Sequence, residues 1–240
     1  MSDRFYFGGP LGRGAVTLDG PEAHHLATVR RFQPGDSVTL FNGDGHEYVS
    51  EIVSVGRKRV ELQVTNLLSP VRELSFRLHV ASALPKGDRG DFLIEKLTEL
   101  GVTAFTPLIT ERSIIKIDEA KTDKLRRAVI EASKQCGRNV LMQIFSPARW
   151  TDWFPQQSGR RLIAHTKVGE PMPGNPKRSE ATGGLTIAIG PEGGFSDEEV
   201  AAALAVGWEP FSLGPRILRV ETAAIAAALV ATAFLNRDAQ

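Results

Sequence analysis

At residues 189–195 the chain reads Ile189-Gly190-Pro191-Glu192-Gly193-Gly194-Phe195, directly after the apolar run Leu185–Ile189. Ser196 and Glu199 follow in the S-x-x-E pattern that caps the start of a helix, so a strand, a glycine-rich loop and a helix succeed one another. The glycines let the backbone approach a ligand closely, and the free N–H groups of the helix start face the loop. By itself such a loop is a structural turn, an anion site or a cofactor pocket. The stretch predicts a strand–loop–helix unit and marks the first candidate site.

Outward from this unit, the chain after Ser69-Pro70 alternates strands with helices. Apolar runs predict strands at Phe76–Val80, Phe105–Ile109, Arg161–His165, Leu185–Ile189 and Pro210–Leu213. Helical spacing of apolar residues predicts helices at Asp91–Leu100, Asp123–Cys136, Ser196–Val206 and Thr222–Leu235. Because strands that alternate with helices form parallel sheets covered by helices, residues 71–240 are predicted to be one α/β domain.

The first 70 residues follow a different pattern, with the alternation of apolar and polar positions that is typical of strands between Ser37 and Asn66. The turn sequences NGDG at Asn42–Gly45 and GRKR at Gly56–Arg59 separate these runs and predict consecutive hairpins. Pro21–Phe32 is predicted to be a short helix, closed by a Pro-Gly-Asp turn. Residues 1–70 are therefore predicted to form a small β-barrel domain.

The composition of the 240 residues excludes several classes of protein. The single cysteine, Cys136, rules out an internal disulfide, and the chain has neither HExxH nor a paired CxxC, so no metal is expected. The longest apolar run, Ala223–Leu235, is shorter than the roughly 20 residues that cross a bilayer, and no secretory signal pattern is present. We therefore expect a cytoplasmic protein without a membrane partner. The net charge of +1 means that any RNA must be held by local basic clusters.

The residues of the glycine-rich loop narrow the choice of ligand. The sequence GPEGGF lacks the GK[ST] of a P-loop, and the chain has no GxGxxG after a strand, which weakens the kinase and dinucleotide-binding interpretations. Glu192 would repel a phosphate but would tolerate a sulfonium cation. The loop therefore favours a cationic ligand.

A second candidate segment reads Leu213-Gly214-Pro215-Arg216-Ile217-Leu218-Arg219-Val220-Glu221-Thr222-Ala223. It runs from the end of a predicted strand to the start of the last helix, and it contains two arginines and a glutamate. In one interpretation these charges pair at the surface and Thr222 caps the helix. In the other, the segment belongs to a site together with the glycine-rich loop.

Taken together, the sequences GPEGGFSDEE and LGPRILRVETA resemble the C-terminal signature of the ribosomal RNA uridine N3-methyltransferases of the SPOUT superfamily. The resemblance covers nearly the whole chain. Further stretches that resemble the family, in the same order, are His24–Leu26, Val29–Arg31, Gly35-Asp36, Pro85–Arg89, Glu95–Val102, Glu111–Ser113 and Gln135–Arg138.

The resemblance implies an N-terminal PUA-like β-barrel over residues 1–70 and a SPOUT methyltransferase domain over 71–240, an α/β domain with a deep trefoil knot. It also implies a homodimer. The methyl donor, S-adenosylmethionine, would lie in the knot and be held mostly by backbone groups of three loops. The implied donor-binding residues are His165, Gly190, Glu192, Gly193, Gly194, Leu213, Gly214, Ile217, Leu218 and Thr222.

The resemblance further implies a reaction in which nitrogen 3 of a uracil in small-subunit ribosomal RNA attacks the methyl group of the donor. Positioning and electrostatics should supply most of the acceleration. Arg219 would stabilise the deprotonated uracil, and Glu192 or Glu221 would accept the proton. The alternative is that these three side chains only brace the loops.

The implied RNA partner is small-subunit ribosomal RNA, in the assembled 30S subunit. Only a set of basic residues, and no single one of them, supports an RNA contact. The candidate phosphate contacts are Arg4, Arg30, Arg31, Lys86, Arg89, Arg112 and Arg138. Two other functions stay open at this point. The chain could methylate another RNA, such as transfer RNA, or could be an RNA-binding assembly factor without catalytic activity.

Overall fold

A computed structural model of the chain describes residues 3–114, 117–165, 170–171 and 184–235. The chain forms two compact units, one of Met1–Glu73 with Ile130–Leu141 and the other of Leu74–Val129 with Met142–Gln240. The sequence-based boundary near residue 70 placed residues 130–141 in the second domain. The structure groups them with the first unit because Arg138 and Asn139 are hydrogen-bonded to side chains of that unit.

A five-stranded sheet dominates the first unit, in the order β1-β3-β4-β5-β2. Its strands are β1 (Arg4–Tyr6), β2 (Gly14–Asp19), β3 (Ser37–Phe41), β4 (Glu47–Val55) and β5 (Arg59–Leu68). The predicted hairpins β3-β4 and β4-β5 are confirmed, and β1 runs parallel to β3. Register shifts interrupt the pairing of β4 with β5 at two places, and such bulges increase the local twist of a sheet. The sheet curls into a half-barrel.

The core of this unit lies on one face of the sheet and follows from the alternation in the strands. Val60, Leu62 and Val64 of β5 are buried, whereas the residues between them are exposed. They pack with Leu40 and Ile52 in one hydrophobic cluster. The alternation that predicted strands therefore also selects the face that is removed from water.

The predicted helix Pro21–Phe32 is shorter than expected. Helix α1 (Gly20–His24) continues into one wider, π-helical turn over His25–Val29. Arg30 N–H donates to His25 O at 2.9 Å, and Arg31 then takes the left-handed conformation with φ 57°. Because a non-glycine residue in this conformation cannot continue a right-handed helix, the helix ends before Phe32.

A parallel sheet forms the second unit, in the order β11-β13-β10-β12-β6-β7-β8, with β9 paired to β7. The strands are β6 (Leu78–Ser82), β7 (Ala104–Ile109), β8 (Gln143–Ile144), β9 (Ala148–Arg149), β10 (Arg160–Ala164), β11 (Glu170–Pro171), β12 (Leu185–Ile189) and β13 (Glu209–Ser212). Every pair is parallel, which confirms the predicted sheet.

The helices of the chain beyond residue 74 are α2 (Arg89–Glu99), α3 (Glu119–Cys136), α4 (Trp150–Trp153), α5 (Asp197–Ala205) and α6 (Val220–Leu235). The alanines of α6 let it approach α2, β6 and β12 closely, and Ala224, Ala227 and Ala228 are completely buried. Among the described residues, no helix is long and apolar enough to cross a membrane. The deep trefoil knot stays a prediction.

An aromatic cluster fills the space between α5 and the sheet of the second unit. Trp150 is 1% exposed, and its ring lies 4.7 Å from Phe195, 4.9 Å from Phe154 and 5.1 Å from Trp208, centroid to centroid. Aromatic pairs at these separations contribute beyond the area that they bury. Because Phe195 directly follows the glycine-rich loop, this cluster anchors one end of that loop in the core.

Candidate functional site

Three loops meet at one edge of the parallel sheet. Strand β10 pairs with β12 on one side and with β13 on the other, and all three run in the same direction. The loops that follow them therefore emerge side by side at the carboxyl edge, where α/β sheets bind ligands. Within the described residues, these loops contribute His165, Gly190–Gly194 and Leu213–Leu218.

Between the loops lies a cleft with a volume of about 210 Å³. All of the predicted donor-binding residues line it except Thr222, which is exposed on α6. The sequence interpretation missed several lining residues, although most of them adjoin the residues that it named. These are Ala164, Ile189, Pro191, Phe211, Ser212, Arg216, Val220 and Ala223.

The glycine-rich loop folds back on itself in a tight turn. Gly194 N–H donates to Pro191 O at 2.7 Å, and Gly194 has φ +68°, a conformation that glycine adopts without steric cost. A Cβ atom on Gly190 would lie 3.0 Å from Gly194 C and from Phe195 N. Gly190 therefore cannot carry a side chain unless the loop moves.

The predicted capping box at the start of α5 is confirmed. Glu199 N–H donates to Ser196 Oγ at 3.3 Å, and Ser196 N–H donates to Glu199 Oε2 at 2.9 Å. The two bonds satisfy N–H groups that the first turn of a helix leaves free. They fix the direction in which α5 leaves the glycine-rich loop.

The other two loops are also held at their bases. His165 N–H donates to Phe211 O at 2.9 Å, which extends the pairing of β10 with β13 up to the cleft. Gly214 has φ +105°, and its N–H donates to Ser212 Oγ at 3.2 Å. The cleft is therefore lined by backbone that secondary structure and local turns hold in place.

The charged residues proposed for catalysis occupy three different environments. Glu192 is exposed and lines the cleft. Arg219 is exposed and follows the lining residue Leu218, and its carbonyl accepts a bond from Ala223 N–H at the start of α6. Glu221 is buried and does not line the cleft; its Oε1 accepts a bond from Arg89 Nη1 at 3.5 Å. Within the described residues, Glu221 Oε2 has no hydrogen-bond partner.

Two of the predicted RNA contacts are already paired with carboxylates. Arg138 is buried within the first unit, and its Nη2 donates to Glu73 Oε2 at 2.7 Å. Arg4 is partly buried in the same unit and pairs with Glu47. Burial lowers the pKa of Arg4, and its hydrogen bond to Glu47 opposes that effect. Because both guanidinium groups are largely shielded from solvent and already paired, they suit a phosphate contact less well than the exposed basic residues do.

The other predicted RNA contacts differ in how freely they face solvent. Arg31 and Lys86 are exposed, whereas Arg30 forms an ion pair with Asp3 and lies over the Phe32 ring. Arg89 is partly exposed and pairs with Glu221. Arg112 is exposed, and its Nη1 donates to Gly193 O at 2.7 Å. These five residues stay predicted phosphate contacts.

No metal centre is evident in the part of the chain that the structure describes, because no three His, Cys, Asp or Glu side chains are grouped as ligands there.

Both units of the chain are similar to known proteins. The model of the RNA methyltransferase domain matches residues 72–232, and that of the RNA methyltransferase PUA domain matches residues 18–65. The ribosomal RNA small subunit methyltransferase E of Synechocystis is 35% identical over 225 residues, which are 92% of this chain and 74% of that protein. The chain belongs to the ribosomal RNA small subunit methyltransferase E family. The Bacillus subtilis member is 33% identical over 92% of both chains.

Solved methyltransferase structures share the fold over nearly the whole chain. A Legionella pneumophila structure described as a methyltransferase in complex with its bound cofactor SAM superposes with a TM-score of 0.87 at 34% identity, covering 99% of this chain and 98% of that one. The ribosomal RNA small subunit methyltransferase E from Neisseria gonorrhoeae, solved bound to S-adenosylmethionine, gives 0.86 at 28% identity with the same coverage. These matches confirm the predicted PUA-like and SPOUT-type α/β fold class.

Proposed function

We propose that the chain is an S-adenosylmethionine-dependent methyltransferase that modifies nitrogen 3 of a uridine in small-subunit ribosomal RNA. The observation that carries the proposal is the cleft between the loops after β10, β12 and β13. That cleft is lined by nearly all the residues that the family resemblance assigns to the donor. Membership of a methyltransferase family over the whole chain supports the same function.

The residues of the cleft suit S-adenosylmethionine. Ile189, Phe211 and Leu218 offer apolar surface for the adenine, and the Gly190–Gly194 loop offers backbone close to the ligand because a Cβ on Gly190 would fill the turn. Glu192 places a negative charge at the cleft, which suits a sulfonium cation. When bound, the donor supplies a methyl group on a positively charged sulfur.

Arg219 is our candidate for the group that stabilises the uracil once nitrogen 3 has lost its proton. It is exposed beside the cleft and has no carboxylate partner among the ion pairs of the described residues. Its charge is therefore available to an anion on the substrate. Of the two carboxylates, we favour Glu192 as the proton acceptor, because Glu221 is buried and paired with Arg89.

RNA would be held by the exposed basic residues Arg31 and Lys86, together with the exposed hairpin turn Arg57-Lys58-Arg59. Phosphate contacts position a nucleic acid and add an affinity that salt weakens. We propose assembled small subunits as the substrate, a homodimer as the active form and the cytoplasm as its place of action.

The test is a methylation assay with S-adenosylmethionine and assembled small subunits, followed by mass spectrometry of the nucleosides. We expect 3-methyluridine in small-subunit RNA from the wild-type protein. Arg219→Ala should lower turnover by at least about tenfold, which corresponds to about 1.4 kcal/mol of transition-state stabilisation. Arg126→Ala, which removes an exposed arginine of α3 that pairs only locally with Asp123, is the matched control.

Methylation of transfer RNA alone would show that the acceptor is wrong. Failure of the wild-type protein to bind S-adenosylmethionine in calorimetry would show that the chain is an RNA-binding factor rather than an enzyme.

A further inference from the structure

The turn that follows β7 contacts the glycine-rich loop without entering the cleft. This turn, Thr110–Ser113, is closed by Thr110 N–H donating to Ser113 Oγ at 2.9 Å and by Ser113 N–H donating to Thr110 O at 3.1 Å. Both bonds are local, so the turn keeps its shape independently of any ligand. It presents Glu111 and Arg112 to the loop that follows β12.

Arg112 binds the backbone of the glycine-rich loop. Its Nη1 donates to Gly193 O at 2.7 Å and to Phe195 O at 3.4 Å. The aliphatic part of the side chain also lies close to Gly193, since a Cβ there would be 3.3 Å from Arg112 Cδ. The absence of a side chain at Gly193 is therefore what lets the arginine lie against the loop.

Glu199 of α5 links the same turn to Ser196, which directly follows Phe195 at the end of the glycine-rich loop. Its Oε1 accepts a bond from Glu111 N–H at 2.9 Å, while Oε2 accepts the capping bond from Ser196 N–H at 2.9 Å. The residue is only 8% exposed, so both bonds are sheltered from water. Hydrogen bonds from backbone N–H groups to a carboxylate are stronger than those between neutral groups.

Neither Arg112 nor Glu199 lines the cleft, whereas Gly193 and Gly194 do. We propose that Arg112 and Glu199 are positioning residues that hold the glycine-rich loop in the conformation that binds S-adenosylmethionine. This inference rests on the proposed function. A loop that is fixed before binding loses less conformational freedom when the ligand arrives, so releasing it should weaken donor binding.

The sequence pattern gave Arg112 a different role, as a phosphate contact. The two roles predict different measurements. A phosphate contact contributes to RNA affinity and to its salt dependence, with a change of about one in the slope when it is lost. A positioning residue changes donor affinity and leaves the salt dependence of RNA binding as it was.

The experiment measures S-adenosylmethionine binding to the full chain by calorimetry for wild type, Arg112→Ala, Arg112→Lys, Glu199→Gln and the control Arg126→Ala. We expect Kd for the donor to rise about fivefold in Arg112→Ala, since one or two net hydrogen bonds are lost. Arg112→Lys should recover most of the lost donor affinity, because a single nitrogen of Arg112, Nη1, makes both contacts. Glu199→Gln should raise Kd about threefold because an amide has one acceptor oxygen for two N–H donors. Arg126→Ala should match wild type.

Two further measurements separate positioning from a general loss of structure. Thermal unfolding shows whether each variant is folded, and steady-state kinetics should show a higher KM for the donor with kcat changed less than about twofold. Donor affinity of Arg112→Ala within about twofold of wild type would overturn the inference, as would a weaker RNA affinity with a smaller salt slope and an unchanged donor Kd. If wild type does not bind the donor, the proposed function fails, and the inference fails with it.

Discussion

Glu221 of α6 lies 3.5 Å from Nη1 of Arg89, so an ion pair joins the first turns of α6 and α2. Glu221 as a whole residue is 6% exposed, whereas the side chain of Arg89 is 38% exposed. A carboxylate is favourable at a helix N-terminus, and an arginine at the start of α2 is unfavourable. Glu221 therefore stabilises both helix starts, which explains its burial without a role in proton transfer.

We predict that Arg89→Ala lowers the free energy of unfolding by about 1 kcal/mol, because it leaves the buried carboxylate without its cation while the partial exposure of Arg89 limits the loss. In a protein that already carries Glu221→Gln, Arg89→Ala should lower the free energy of unfolding by about half as much. Urea unfolding of the four proteins of this double-mutant cycle gives the coupling. Strictly additive effects would show that the two side chains do not interact.

The tight turn of the glycine-rich loop predicts unequal effects of two alanine substitutions. Gly190→Ala places Cβ 3.0 Å from backbone atoms of Gly194 and Phe195, so the loop must shift, and we expect donor affinity to fall at least about tenfold. Gly194→Ala meets no atom within 4 Å but keeps φ at +68°, which costs about 1 kcal/mol, and should weaken binding less. Gly12→Ala is the control. Equal Kd values for all three variants would contradict this account of the cleft.

Substitutions of Arg31 should change the stability of the protein and its RNA affinity independently. It is exposed with φ 57°, a conformation that costs a residue with Cβ about 1 kcal/mol and costs glycine little. Arg31→Gly should therefore leave the unfolding midpoint unchanged or slightly higher, while RNA affinity falls and its salt slope decreases by about one. Arg31→Ala, which loses the charge but keeps the strain, should match the RNA effect without any gain in stability. Unchanged RNA affinity in both variants would remove Arg31 from the interface.

Short-range patterns in the sequence were sufficient to predict most of the fold. The alternation in β4 and β5, the buried run of β12 and the capping box of Ser196 and Glu199 each depend on residues close together in the chain. Strand β2 was not predicted, and neither were the strands of two or three residues, β1, β8, β9 and β11. Strands of this length contain too few alternating positions to show a period.

Short-range sequence patterns could not predict contacts between residues that lie far apart in the chain. Arg112 bonds to a carbonyl 81 residues away, and Arg4 bonds to Asn139 across 135 residues. An arginine in sequence looks the same whether it faces solvent or lies in an ion pair, so the phosphate-contact set included both kinds. The donor cleft was predictable only through the family resemblance, because glycine-rich loops serve many purposes.

His79 predicts a pH dependence of stability. Burial lowers the pKa of His79 to about 4, and the charge of Arg77 adds to this effect. The unfolded chain takes up a proton near pH 6.5, so the stabilising contribution is complete above that pH and decreases as the pH falls toward 4. We expect about 2 kcal/mol less stability at pH 5 than at pH 7 from this residue, by urea unfolding. His79 Nε2 lies 2.8 Å from Thr106 Oγ1. His79→Gln keeps a polar side chain near Thr106 but does not titrate, so it should show a smaller decrease. An equal decrease in both proteins would assign the effect to other groups.

The exposed side chain of Leu229 indicates the oligomeric state of the protein. Helix α6 buries its alanine-rich side, as at Ala224 and Ala228, yet leaves the large apolar side chain of Leu229 53% exposed. An apolar helix surface that the subunit itself does not cover is typical of an interface between subunits, and closed twofold dimers are the commonest assembly. We therefore predict a dimer at micromolar concentration by light scattering.

A charge at this position should break the dimer, because an aspartate in the centre of an apolar interface would have to lose its hydration without gaining a partner. Leu229→Asp should shift the mass toward that of the 26.1 kDa monomer. Val206→Asp, which changes another exposed apolar residue outside α6, should leave the mass unchanged. If Leu229→Asp stays dimeric, α6 does not form the interface. If the wild-type protein is itself a monomer, the exposed leucine has no partner subunit, and the proposed homodimer is wrong.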